Sequence, residues 1–332
     1  MFKIVCILVL CMLTCCCAHK HSKESDEDND FTTAPILLTL NIILEPDFRT
    51  SECNILQTSD INGQYRKRFL IEARQNNTVI TRKTVFPDTL SLIKDSLFLS
   101  IDLELQTSKY DLSVWMDYTE KDTDCHYITD HLNNITCVEP YCGNTPTKEC
   151  LYGHKTIDLR KFGNQRNLHV ETNINIHPPV AKYEIITTDV EEFIKQTSWQ
   201  PHKSYHVIFT YLFFYPMVYN AYESTVKDSW SDVSFEIPLN ITDKKQKECT
   251  LGFDYILADT TTNIVMLALT VKDENGKEII TSSPIKIPYR QGYFTPITGR
   301  FLTKNKSGGF EINTEFDDEI NIDIDNLINQ LK

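Results

Sequence analysis

The 332-residue sequence lacks the patterns that carry most enzyme chemistry. It holds no G-x-S-x-G, no H-E-x-x-H, no P-loop and no G-x-G-x-x-G. Gly308-Gly309 is a lone pair, which reads as a turn and not as a phosphate cradle. No EF-hand loop is present, so the adjacent Asp317-Asp318 reads as a solvated turn and not as a calcium site. His202 and His206 stand four residues apart, but they sit just after Pro201 and ahead of a strand, which disfavours the helix a metal pair of that spacing needs. The remaining histidines are scattered. Basic charge is also short: 33 Lys and Arg against 46 Asp and Glu leave a net charge of -13. That balance excludes a nucleic-acid partner, which needs basic stripes to neutralise phosphate. Beyond the first residues there is no long apolar run, so the body does not cross a membrane as a helix.

What the N-terminus does hold is informative. Lys3 precedes an apolar stretch from Ile4 to Leu13, too short to span a bilayer and of the length of a signal peptide core. Cys15, Cys16 and Cys17 follow at the cleavage point. Bacterial lipoproteins are cut before a cysteine that then carries acyl chains. The order Leu13-Thr14-Cys15-Cys16 selects Cys16 as the lipidated residue, with Cys15 and Cys17 as alternatives. Residues 1–15 are then the signal peptide. Residues 16–32 are an acidic tether, in which Glu24, Asp26, Glu27, Asp28 and Asp30 leave nothing apolar to bury.

The rest of the chain reads as β almost throughout. Strands are expected at Ile36 to Leu44, Arg68 to Arg74, Leu97 to Leu105 and Lys109 to Tyr118. The last of these is apolar on both faces and therefore central. The prolines of His177-Pro178-Pro179 cannot donate to a ladder and mark a boundary between two domains. Val180 to Thr187 is a strand. Thr188-Asp189-Val190-Glu191 has capping-box spacing and opens a short helix from Val190 to Lys195. Val207 to Tyr215 is expected as one aromatic strand, its Phe209, Tyr211, Phe213 and Tyr215 forming core, with a glycan-stacking surface as the alternative. Strands follow at Leu251 to Leu257 and Ile264 to Lys272. Asn275-Gly276 predicts a two-residue hairpin turn into Glu278 to Ile287. The tail alternates Ile with acidic residues through Ile320, Ile322 and Ile324 and reads as strand-like.

Six cysteines lie beyond the signal: Cys53, Cys125, Cys137, Cys142, Cys150 and Cys249. In an exported chain an even number suggests disulfides. Pairing is expected among Cys125, Cys137, Cys142 and Cys150, with no connectivity assigned. His126 and His154 lie beside them, but the stretch offers no C-x-x-C or paired-His spacing for zinc. No cofactor is expected. Asn76, Asn134, Asn240 and Asn305 head N-x-S/T sequons, which a secreted eukaryotic or viral binding protein would use and which an Asn- and Thr-rich chain also produces by chance.

Three sets of passages resemble the fimbrillin-like lipoproteins of Bacteroidetes. They are Arg68 to Glu72 with Lys109 to Tyr118; Pro179 to Phe193; and Phe253 to Leu257 with Gly299 to Thr303 and Ile312 to Asp317. The resemblance implies an all-β fold of two tandem transthyretin-like β-sandwich domains with one short helix. The domains are expected at 33–177 and 178–318, followed by an acidic tail at 319–332. It implies a non-enzymatic lipoprotein at the cell outer membrane, a fimbrial subunit or a tip or anchor component. Its partners would be other fimbrial subunits joined by β-strand addition. It also implies removal of the first strand by an arginine-specific protease, and the matching position is Arg49. The alternative is a surface module that binds a glycan or host ligand and never polymerises. The cysteine segment from Cys125 to Cys150 has no counterpart in the resemblance and reads as an addition.

Overall fold

The structure is a computed structural model and describes residues 35–45, 64–88, 90–93, 96–163, 168–197, 199, 203–303 and 322–323. The expected all-β class holds, with one α-helix, Val190–Thr197. The sheets pair face to face around two clusters of buried side chains, one between residues 36 and 176 and one drawn largely from residues 180 to 302.

The opening strand, Ile36–Leu44, is an inner strand. It runs antiparallel to Ser96–Leu105 and parallel to His169–Ile176. The opposing sheet runs in the order Leu151–Asp158, Lys109–Glu120, Tyr65–Gln75, Thr78–Val85. Lys109–Glu120 is central, as its two apolar faces require, and Leu112, Val114, Trp115 and Met116 are all fully buried.

The second half repeats this plan. Val180–Thr187 runs antiparallel to Cys249–Leu257 and parallel to Phe294–Gly299. The opposing sheet orders Ile285–Tyr289, Asn263–Lys272, His206–Tyr211 and Ser234–Pro238. Seven strands of the first half have counterparts with the same pairing in the second, Ser91–Ile93 and Glu278–Thr281 standing outside the match, so the chain contains two copies of one topology joined at His177 to Pro179.

Each copy carries one insertion, at a different place. The first copy's insertion follows Lys109–Glu120 and includes Tyr127–Ile128 and Ile135–Cys137. The second's follows His206–Tyr211 and includes Tyr215–Asn220 and Thr225–Trp230. These four short strands form a sheet of their own, because Ile135–Cys137 pairs with Tyr215–Asn220. The two copies are thus tied by backbone hydrogen bonds as well as by the connecting prolines.

Three local expectations change. The aromatic run is not one strand: it leaves its sheet after Tyr211 and re-enters at Tyr215 in the bridging sheet. The Asn275-Gly276 turn is wider than two residues, since Asp273 N–H donates to the Lys277 carbonyl and only Gly276, at φ 77, has the left-handed backbone. The Asp273 carboxylate accepts the amides of Asn275 and Lys277, and so substitutes for a second residue at positive φ. Beyond Thr281 the strand breaks before Ile285–Tyr289, and both pieces pair with Asn263–Lys272. Tight two-residue turns lie elsewhere, at Asn76-Asn77, with φ 47 and 65, between Gln75 and Thr78, and at Lys121-Asp122, with φ 49 and 65, between Glu120 and Thr123.

Candidate functional site

Two places carry the chemistry that matters. The first is the trough under the opening strand. Ile36, Leu38, Leu40, Ile42 and Leu44 face inward and are 0–2% exposed. Burial of five such side chains is worth roughly 7–15 kcal/mol. The outward face carries Leu37, Thr39, Asn41 and Ile43, and its two polar residues fix the register. Thr39 Oγ1 donates to Asp102 Oδ1 at 2.5 Å and lies 2.6 Å from His169 Nε2. Asn41 donates to Asn173 at 3.2 Å and accepts from Ser100 at 2.8 Å. A one-residue slip would turn the apolar row to solvent and lose these bonds. Withdrawing the strand would leave an apolar channel with open backbone edges on both sides.

The second place is the bridging sheet and the buried charges beneath it. Asp254, on the second copy's Cys249–Leu257 strand, is 0% exposed. Its carboxylate accepts from Lys148 Nζ at 2.8 Å, Tyr141 Oη at 2.6 Å, Tyr211 Oη at 2.7 Å and Tyr215 Oη at 3.2 Å. The Tyr255 amide adds a bond of 2.8 Å. Lys148 and Tyr141 belong to the first copy's insertion, so this network spans both halves. Lys148 Nζ also donates to the Tyr141 hydroxyl and sits 3.8 Å from the centre of its ring. Burial, and then the Asp254 carboxylate, push the phenols of Tyr141, Tyr183 and Tyr211 well above their usual range. Tyr141 and Tyr211 therefore remain donors to the carboxylate, and the Tyr183 hydroxyl lies 2.7 Å from that of Tyr211.

Two more buried groups border this region. Burial, and then Lys148, push the His126 imidazole down to about 4, and its Nε2 lies 2.7 Å from Thr147 Oγ1. Arg68 forks onto Asp117 at 2.7 and 2.9 Å and reaches Asp124 at 2.5 Å. Burial pushes Asp117 up to about 6, and Arg68 opposes that shift. On the other flank, Tyr222 of the second insertion donates to Glu72 at 2.7 Å. The second copy's loop thereby reaches the first copy's Tyr65–Gln75 strand. Lys148, Asp254, Arg68, Asp117 and Glu72 are buried and each is paired, Glu72 with Arg82, an arrangement that suits holding two halves together.

Among the described residues, no three His, Cys, Asp or Glu converge as metal ligands. Among them too, no helix is long and apolar enough to cross a membrane. Cys125, Cys137, Cys142 and Cys150 are brought together in the first insertion, and the structure holds them as free thiols. His202, Cys53, Arg49, the cysteines Cys15 to Cys17 and nearly all of the alternating tail lie outside the described residues. The aromatic run divides. Phe209, Tyr211 and Tyr215 are buried, whereas Phe213 and Phe214 are 65% and 73% exposed at the bend between two sheets. Sequence reasoning missed Lys148 and Asp254 as a pair. They lie 106 residues apart, and no local pattern links them.

These features define a class: a tandem β-sandwich protein whose two copies share a sheet built from their insertions. The chain belongs to the family of unknown function DUF6562, which matches residues 31–330. No curated protein sequence matches it. Among solved structures it is similar to the fimbrial anchor protein Mfa2 from Porphyromonas gingivalis, at 12% identity and a TM-score of 0.42, covering 75% of this chain and 82% of that one. It is also similar to a fimbrial assembly protein from Parabacteroides distasonis, at 12% identity and a TM-score of 0.34, covering 80% of this chain and 91% of that one.

Proposed function

We propose that this protein is a non-enzymatic, lipid-anchored surface protein that serves as a subunit or as a tip or anchor component of fimbriae assembled by strand exchange. The observation that carries the reading is the place of Ile36–Leu44: an inner strand with an unbroken apolar face, flanked on both sides. Such a strand can be replaced by a like strand from a neighbouring subunit, with main-chain bonds supplying affinity and alternate side chains supplying register. Acylation of Cys16 would hold the uncleaved subunit at the outer membrane, and cleavage after Arg49 would then free the strand and release the body from its lipid. Two domains, at 33–177 and 178–318, fit the repeated topology, with the first insertion reaching over the boundary.

The test is to express the chain from Ser51 onward and measure its mass by light scattering. Ladders of high mass, suppressed by an added Ile36–Leu44 peptide, are expected. A folded monomer that ignores the peptide defeats the reading. A protein that is unfolded alone and recovers its fold with the peptide supports an open groove. One that stays unfolded with the peptide refutes strand replacement. For the anchor, Cys16→Ala should abolish acyl labelling. Labelling that persists in Cys16→Ala and is lost in Cys15→Ala or Cys17→Ala would move the anchor.

A second reading, a glycan- or host-binding module, draws on one observation: Phe213 and Phe214 stand exposed side by side, with Leu212 at 37% and Ile264 at 48% exposure. Aromatic faces of this kind stack on sugar rings. Loss of binding to a glycan panel in a Phe213→Ser/Phe214→Ser variant that keeps its stability would favour it.

A further inference from the structure

The first insertion brings three thiols to one small void. Cys125, Cys137 and Cys142 line a cavity of about 10 Å³ with His126 and Lys148. Val138, Pro140 and Tyr141 complete the lining. Cys137 is the strand residue opposite Tyr127, and the bond from Val138 N–H to the His126 carbonyl, 2.9 Å, continues that ladder towards Cys125. Cys142 arrives from the following loop. The Tyr65 hydroxyl lies within electrostatic reach of Cys125 and Cys142. The thiols differ in access: Cys142 is exposed, Cys125 is partly exposed, and Cys137 and Cys150 are buried. Cys137 also packs inside the hydrophobic cluster.

We propose that Cys125 and Cys142 form a disulfide by exchange with an external disulfide, closing the insertion over its own void. The inference does not depend on the fimbrial reading. In the first step the Cys142 thiolate attacks one sulfur of the external disulfide. That S–S bond breaks, a mixed disulfide forms on Cys142, and the departing thiolate takes up the proton that Cys142 released. In the second step the Cys125 thiolate attacks the Cys142 sulfur, forms the internal bond and expels the second external thiolate, which takes up the Cys125 proton. Two protein thiols are oxidised and one external disulfide is reduced to two thiols. Burial holds the Cys125 thiol up at about 12 and raises Cys142 as well, so in the folded protein the exchange is slow. Cys142 is the entry point because an oxidant can reach it.

The experiment incubates the full chain with glutathione disulfide, alkylates free thiols, digests without reductant and maps linked peptides. A dominant link between the Cys125 and Cys142 peptides is expected, with Cys137 and Cys150 alkylated only after unfolding. A dominant link through Cys137 or Cys150, or Cys142 left glutathionylated, overturns the proposal. In Cys125→Ser the expected product keeps one glutathione on Cys142. Should that variant fail to fold, Cys142→Ser at the exposed position must abolish the link and leave Cys125 unmodified. Cys125 found linked to Cys137 or carrying glutathione in Cys142→Ser refutes Cys142 as the entry point.

Discussion

Removing the Asp254 carboxylate should uncouple the first insertion from the second copy. In Asp254→Ala the Lys148 ammonium, whose side chain is 3% exposed, stays buried without its counter-charge, and the hydroxyls of Tyr141, Tyr211 and Tyr215 lose a shared acceptor. Breaking one partner of a buried ion pair costs about 3–5 kcal/mol, and the lost phenol bonds place this case in the upper part of that range. Lys148→Met should cost less, because three phenols and the Tyr255 amide still surround the carboxylate. In a double-mutant cycle with Asp254→Asn and Lys148→Met, the coupling should exceed about 1 kcal/mol. Urea unfolding gives these numbers. A second readout locates the loss: Cys150, 0% exposed in the insertion, should react with a thiol reagent faster in Asp254→Ala, while Cys249 on the same strand as Asp254 should change less. A cost below about 1 kcal/mol, or equal acceleration of both thiols, would refute the idea that this network holds the insertion to the second copy.

Acid should act on His126 and Asp117 in opposite directions. The His126 imidazole, lowered to about 4, contributes stability that is complete above its unfolded value of 6.5 and is lost as pH falls towards 4. Asp117, raised from 3.8 to about 6, contributes stability that is complete below 3.8 and is lost as pH rises through 6. His126→Asn should therefore gain about 3 kcal/mol relative to the natural chain between pH 7 and pH 4, read from urea midpoints at both; a constant difference would show that the imidazole is not held neutral. Gly153→Ala should destabilise strongly, since an added Cβ would stand 2.3 Å from the Asn175 carbonyl oxygen, a backbone atom that cannot step aside. An unchanged melting temperature would mean that the two strands are further apart. Phe213→Ser/Phe214→Ser should leave stability within about 0.5 kcal/mol, because both rings are largely in solvent; a larger loss on calorimetry would make them core.

Much of the fold was legible where one physical pattern dominated. Ile36–Leu44 and Val180–Thr187 were read at their observed bounds, because each is a short run rich in apolar and β-branched residues. The central place of Lys109–Glu120 followed from its two apolar faces. The aromatic run was misread because composition reports burial but not which sheet provides it. Tyr211 and Tyr215 are both core, yet the chain folds back between them so that their rings meet at 3.9 Å. The Asn275-Gly276 turn was misread because Asp273 accepts two amides across the loop, a bond pattern that the dipeptide alone does not encode.

The sequence by itself determined the all-β class, the helix after Val180–Thr187 and the net charge of -13. These follow from short-range periodicity, from capping-box spacing and from simple counting. Only the tertiary structure decided that the opening strand is an inner one. It also decided that the two halves share one topology, that their insertions pair through Ile135–Cys137 and Tyr215–Asn220, and that Lys148 meets Asp254. Such pairings join residues tens to more than a hundred positions apart. Their energy depends on excluding water from both partners at once, and no local pattern in the chain records that.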